Sequence, residues 1–185
     1  MRDIKEMVIV EKMYHIRNTE IHKEMKQGEI IPCGKELNPF MAPYYKDDIS
    51  FSSDHAHLIR LLGYYWHFAR ETTFEEVRKE SFPSLPSRHK CLFATSKEGL
   101  RYWIEEFKHP KYQVAEIQVA GEVFKGDASF VNGQGLSLNT VKQKAERYWN
   151  GESLDNSKVE YLIAGEVRIV KLLNEKDIKQ LLKLN

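Results

Sequence analysis

Glu160 is the residue whose type and setting speak most directly of chemistry. It is a carboxylate inside Val159-Glu160-Tyr161-Leu162-Ile163, a run that otherwise reads as a buried or half-buried strand. Pleating puts Glu160 on one face with Leu162, while Val159, Tyr161 and Ile163 share the other. Such a carboxylate lies either in solvent at a strand edge or inside a cleft. Arg88, in Ser87-Arg88-His89, offers a planar fork suited to a phosphate or carboxylate, although spacing alone leaves a surface cation at a loop end equally open. The His55-Ala56-His57 triplet is the most metal-like local feature. Residues two apart on a helix point roughly 200° apart, so these imidazoles cannot share one ion unless the segment is extended. No Cys or acidic partner stands at ligand spacing, and no metal site is expected. The aromatic runs Tyr64-Tyr65-Trp66 and Tyr102-Trp103 suit a helix packed on a core, or one ring of each could wall a pocket for a planar ligand.

The elements that must position these residues follow from periodicity and caps. A strand is expected from Met7-Val8-Ile9-Val10 to Ile16, then a short helix from Glu20 to Gln27 capped by Thr19 and ended by Gly28. Three prolines between Glu29 and Tyr45 read as loop. Ser53 or Asp54 caps a helix to about Ala69, with Leu58, Leu61, Leu62, Tyr65 and Phe68 at three- and four-residue spacing. Thr72 with Glu75 and Thr73 with Glu76 suggest capping boxes for a second helix to about Glu80. Farther on, strands are expected at 90–95, 112–119, 159–163 and 166–172, and helices at 97–107, 139–149 and 177–184. Gly121 and Gly126 mark turns, and Ala164-Gly165 divides the last two strands. Helices early and strands late, without β-α alternation, predict an α+β fold with a mainly antiparallel sheet.

Composition sets the outer bounds. The 185 residues fit one domain spanning 1–185, with no internal repeat or low-complexity linker. Hydrophobic residues make 42% and charged residues 30%, a globular balance. Twenty-eight Lys+Arg against twenty-seven Asp+Glu leave a charge of +1, so bulk charge suggests neither a nucleic-acid nor a membrane partner, and only a local patch could hold either. Two distant cysteines, no apolar run of membrane-spanning length and no apolar signal core suggest a soluble cytoplasmic protein. The glycine-rich dinucleotide fingerprint, the P-loop, H-E-x-x-H and G-x-S-x-G are all absent.

Three segments, taken in order, resemble the ADP-ribosyltransferase superfamily in its H-Y-E branch. Met13-Tyr14-His15-Ile16-Arg17, with Gly28 beyond, is similar to that family's strand-borne Y-H-x-T. Cys91-Leu92-Phe93-Ala94-Thr95-Ser96, followed by Gly99-Leu100-Arg101-Tyr102-Trp103, resembles its strand-then-helix block. Val159-Glu160-Tyr161-Leu162-Ile163 is similar to the N-E-Y-L-V strand that carries the catalytic glutamate. Within the superfamily the nearest likeness is an uncharacterised bacterial domain family with a similar S-R-x-x-x-L-F block.

The resemblance implies a split, mainly antiparallel sheet with flanking helices and NAD as substrate in the cleft. Glu160 would be catalytic, accepting a hydrogen bond from the nicotinamide-ribose 2′-OH and stabilising the cation that develops on the ribose. His15 would bond the adenosine-side ribose and Tyr102 would stack on nicotinamide. Tyr14, Phe93 and, for the pyrophosphate, Arg88 complete the expected NAD contacts. Phe93 stands where the branch commonly has a tyrosine, so any role for that hydroxyl is lost. Lys158, two before Glu160, departs from the E-x-E motif of arginine-modifying relatives. The implied activity is transfer of ADP-ribose to an unidentified acceptor (protein, nucleic acid or small molecule). The alternatives are a catalytically inactive nucleotide-binding or interaction module on the same fold, and RNA 2′-phosphotransfer. The loops 29–53 and 126–138 are the expected seat of specificity.

Overall fold

The computed structural model describes residues 12–46, 48, 54–133 and 135–183. Its scaffold is one long antiparallel hairpin. Strand β4 (Tyr112–Asp127) pairs with β5 (Val159–Leu173) from Val114↔Leu173 to Asp127↔Val159. On the free edge of β4 lies β1 (Met13–Asn18), opposite residues 112–117. Two short strands follow one another along the free edge of β5: β3 (Leu92–Ala94) opposite 161–163 and β2 (Ile30–Cys33) opposite 165–168. All pairings are antiparallel, and the five-stranded sheet with flanking helices is the α+β arrangement expected.

The sheet curls until its edges touch. Tyr14 and Thr95 exchange two backbone hydrogen bonds of 2.8 Å, a single bridge between β1 and the end of β3. Gly121 and Gly165 face each other across the hairpin with φ +151° and +143°. A Cβ on either would strike the backbone of the opposite strand, at Ala164 or Ala120. These glycines therefore do not end strands, as a reading of them as turns expects. They let two continuous strands bend and approach closely.

Alternation along the strands sorts the core into two faces. The inner face carries Met13, Ala115, Ile117, Tyr161, Ile163 and Val167. On the outer face, Phe124 and Leu162 pack at one end against α2 (His55–Ser81) and α4 (Leu138–Trp149), through Phe74, Val77, Tyr148 and Trp149. At the other end Tyr14 and Val114 pack against α3 (Lys97–Phe107), through Leu100, with α5 (Glu175–Lys183) alongside.

Four local expectations are corrected. No helix forms at 20–27: Asn18 starts a turn, Met25 is pulled into the inner core, and its backbone N–H donates to Gln113 Oε1 at 2.7 Å. The supposed loop at 29–45 holds β2 and α1 (Ala42–Lys46); Pro32 is tolerated because β2 is an edge strand. The two helices expected at 55–69 and 72–80 are one. Thr72 and Thr73 lie inside α2, and Thr73 Oγ1 donates back to the Ala69 carbonyl at 2.9 Å. The strands expected at 159–163 and 166–172 are one strand, β5. The strand expected from Met7 has its first part outside the described residues.

Candidate functional site

Arg88 is the centre of the most unusual group of side chains. It sits on the segment between α2 and β3, whose backbone is fixed by Asn38: Nδ2 donates to the carbonyls of Arg88 (2.8 Å) and Cys91 (3.2 Å). Helix α2 presents Glu71, α4 presents Tyr148 and the start of β5 presents Glu160. Arg88 Nε donates to Glu71 Oε2 at 2.8 Å. Its Nη1 donates to the Tyr148 hydroxyl at 2.7 Å and to Glu160 Oε1. Tyr148 in turn donates to Glu160 Oε1 at 2.8 Å, and Arg70 pairs with Glu71 Oε1 at 3.0 Å. The guanidinium lies 5.1 Å from the Tyr148 ring centre, 5.3 Å from Phe93 and 5.7 Å from Phe74.

This centre is closed to solvent. Arg88 and Glu160 are each 4% exposed and Glu71 only 1%. Two arginines and two glutamates leave no net charge, so each ion's lost hydration is offset by partners. The titrations reflect that coupling. Burial alone would raise Glu71, but Arg88 and Arg70 outweigh it and hold its carboxyl below the usual range. Burial opposes the Arg88 charge, yet Glu160 and Glu71 raise it well above its ordinary value. Burial, with the Glu160 carboxylate, keeps the Tyr148 hydroxyl protonated against the opposing Arg88 charge.

The structure brings some of the expected site residues together and separates others. Arg88, Phe93 and Glu160 meet in this centre. His15 does not join it. Opposite Ala115 in the register, it lies on the inner face, whereas Glu160, alternating with Val159 and Tyr161, lies on the outer one. His15 Nδ1 donates to the Phe93 carbonyl at 2.8 Å, which fixes the proton on Nδ1. Burial pulls its pKa down to about 4 despite that bond, and the charges of Arg17 and His22 add to the shift. Tyr14 is buried against α3. Tyr102 is half-buried: its hydroxyl accepts from Asn132 Nδ2 at 3.0 Å, and Lys158 Nζ lies 5.6 Å from its ring centre. The neighbouring Trp103 donates from Nε1 to the Val159 carbonyl at 2.8 Å, tying α3 to the residue before Glu160.

The remaining chemical candidates have structural partners. Asp54 caps α2 by accepting from His57 N–H at 2.8 Å, with His55 exposed beside it. His89 is buried, its Nε2 3.1 Å from the Glu71 carbonyl. Tyr64 packs on Tyr44 at 4.2 Å. Among the described residues, no three His, Cys, Asp or Glu side chains are grouped to hold a metal ion, and no helix is long and apolar enough to cross a membrane.

Three members of the centre, Arg70, Glu71 and Tyr148, escape a reading of the sequence. Glu71 had a signal: it falls on the stripe of Tyr64, Phe68 and Phe74, a carboxylate where a helix buries its face. Tyr148 had none, because an aromatic on a packed helix is ordinary core.

Comparison with curated proteins finds no match to this chain. A family model described as a protein of unknown function (DUF2441) matches residues 13–179. With that match over nearly its whole length, the chain belongs to the DUF2441 family.

Proposed function

We propose that the chain is an NAD-using enzyme of the ADP-ribosyltransferase type, which cleaves the nicotinamide–ribose bond and transfers ADP-ribose to an acceptor, with Glu160 as the acidic residue at the reacting ribose. The observation that carries this reading is the meeting of three segments far apart in sequence. His15 bonds to the Phe93 carbonyl, and Phe93 stands opposite Leu162, two residues from Glu160. A fixed carboxylate there favours an oxocarbenium-like transition state over a neutral sugar.

Glu160 is covered and ion-paired, which sets a condition on that activity. Turnover requires the Arg88–Glu160 contact to open, and the inner-face position of His15 leaves it outside the reacting centre. In this mechanism the NAD pyrophosphate competes with Glu160 for the Arg88 fork, and Glu71 keeps the guanidinium compensated while it shifts. The phenyl ring of Phe93 supplies a face but no hydroxyl.

The same burial favours a second reading, a non-catalytic nucleotide-binding or interaction module in which Arg88 and Glu160 hold the layers together. Calorimetry with NAD, run beside a nicotinamide-release assay with cell extract as acceptor source, separates the two. Release by the wild type supports the enzyme. NAD bound and intact after hours supports the module.

A further inference from the structure

Helix α2 is packed along only half of its length. Of its 27 residues, Glu71, Phe74, Glu75 and Val77 are buried, all in the second half. The first half, residues 55–69, nevertheless holds eight large apolar side chains and a single fixed charge, Arg60. One side of it is covered by α1, where Tyr44 packs on Tyr64 at 4.2 Å and on Phe68 at 5.3 Å. Another side carries Leu58, Leu62, Tyr65 and Ala69 at intervals of four, three and four residues, the seam spacing of paired helices. That seam is open to solvent: Leu62 is 71% exposed, Tyr65 54% and the flanking Ile59 57%. Ring contacts carry the patch onto α1, from Tyr65 through Tyr64 and Tyr44 to Phe40, itself 47% exposed. An apolar surface of this extent marks a place where something docks.

We propose that residues 55–69 of α2 pair antiparallel with the same segment of a second copy of this chain. Intervals of four, three and four read identically in both directions. A two-fold axis between Gly63 and Tyr64 therefore sets Leu58 opposite Ala69, large against small, and Leu62 opposite Tyr65. The charges permit this pairing. The seam is flanked by Ile59, Leu61, Trp66 and Phe68, and Arg60 lies on the opposite side of the helix, so two copies bring no like charges together. The helix dipoles also oppose each other favourably. A lipid surface fits less well, because an interfacial helix carries Lys and Arg along its polar face and this half has Arg60 alone. Phe40, Tyr45, Ile59, Leu62 and Tyr65 are each about half exposed or more. At on the order of 100 Å² apiece they supply more than half of the roughly 800 Å² that each partner gives to a stable interface, which suits a reversible dimer. The surface needs no member of the Arg88 group, so it does not rest on the proposed activity.

The test is sedimentation equilibrium of the full chain from about 1 μM to about 500 μM, a range suited to a reversible interface of this size. The wild type is expected to pass from monomer to dimer across it. Leu62→Glu should weaken self-association at least about a hundredfold, because each dimer loses two buried leucines and gains two carboxylates within one seam. Thermal unfolding of that variant at low concentration should match the wild type, since Leu62 is solvated in the monomer. Arg60→Glu, on the opposite side of the helix, should leave the dimer intact. A wild type that stays monomeric throughout overturns the proposal, as does a dimer that Leu62→Glu does not weaken or that Arg60→Glu abolishes. A monomer that sediments instead with phosphatidylcholine vesicles overturns it in favour of a lipid surface.

Discussion

Arg88 and Glu160 form a buried ion pair that ties the segment before β3 to the start of β5. Tyr148 bridges the same two groups, donating to one and accepting from the other, and Glu71 completes the charge balance. The layer of α2 and α4 is thereby joined to the sheet through ions rather than through apolar contact alone.

Removing one member strands the others. Arg88→Met leaves Glu71 with only Arg70 and Glu160 with only a hydroxyl, and should cost about 3–5 kcal/mol of stability in chemical denaturation. Glu160→Gln, which keeps the shape, should cost less. Combining the two should cost distinctly less than the sum of both, because the double variant no longer holds Glu160 as an uncompensated charge. Additive losses would show that the pair is not coupled.

Acid should weaken the fold in two stages. His15 has a folded pKa near 4, below its unfolded value, so the stability it contributes is present above about pH 6.5 and is lost as pH falls toward 4. The full shift corresponds to about 3 kcal/mol, reduced because the ring is only half-buried and partly screened. His15→Gln should flatten the stability profile between pH 6.5 and 4.5 without changing its shape above pH 7. Glu71, held low by its arginines, contributes stability present above the ordinary carboxylate range and lost below it, so acid unfolding should persist in that variant. An unchanged profile would contradict the burial assigned to His15.

Asp127 acts as a clasp for the segment that leads into Glu160. Its carboxylate accepts from the backbone N–H groups of Leu154 (2.6 Å), Asp155 (2.7 Å) and Ser129 (2.8 Å), although the residue itself is 1% exposed. Burial opposes the charge, but these donors outweigh it and hold the carboxyl below its ordinary range. Asp127→Ala orphans three N–H groups and should destabilise by about 2–4 kcal/mol. Amide exchange should quicken first at 153–159, and uniform acceleration across the sheet would argue against a local clasp.

The Gly121–Gly165 crossing admits no side chain. Gly165→Ala should lower stability by at least about 2 kcal/mol, combining a strained φ with a steric conflict at Ala120, and thermal unfolding reports it. By contrast Gly28, which has φ +83° but nothing near its missing Cβ, should show only the conformational cost, about 1 kcal/mol, when replaced by Ala.

Particular residues show where a sequence speaks and where it cannot. The alternation of Val159, Tyr161 and Ile163 against Glu160 and Leu162 is written in the chain, and the two faces of β5 follow it. Ser96 is a legible cap, its Oγ accepting from Gly99 N–H at 3.3 Å. The continuity of β4 and β5 through glycine was not legible, because a glycine that bends a strand and one that ends it look the same until the opposing strand is known. Thr72 and Thr73 likewise matched a capping pattern that the surrounding apolar stripe overrode. For the site, Arg88 and Glu160 stood out singly, but their pairing joins residues 72 apart in sequence. Only the fold brings them together, with Glu71 and Tyr148 filling the space between.

The most direct measurement is nicotinamide release from NAD by the wild type and by Glu160→Gln, with folding of both verified by denaturation. The account predicts release by the wild type and a rate roughly 10²–10³-fold lower in the variant, as for the loss of one electrostatic group at a reacting centre. Equal rates in the two proteins, or NAD left intact by a folded wild type supplied with cell extract, would contradict it.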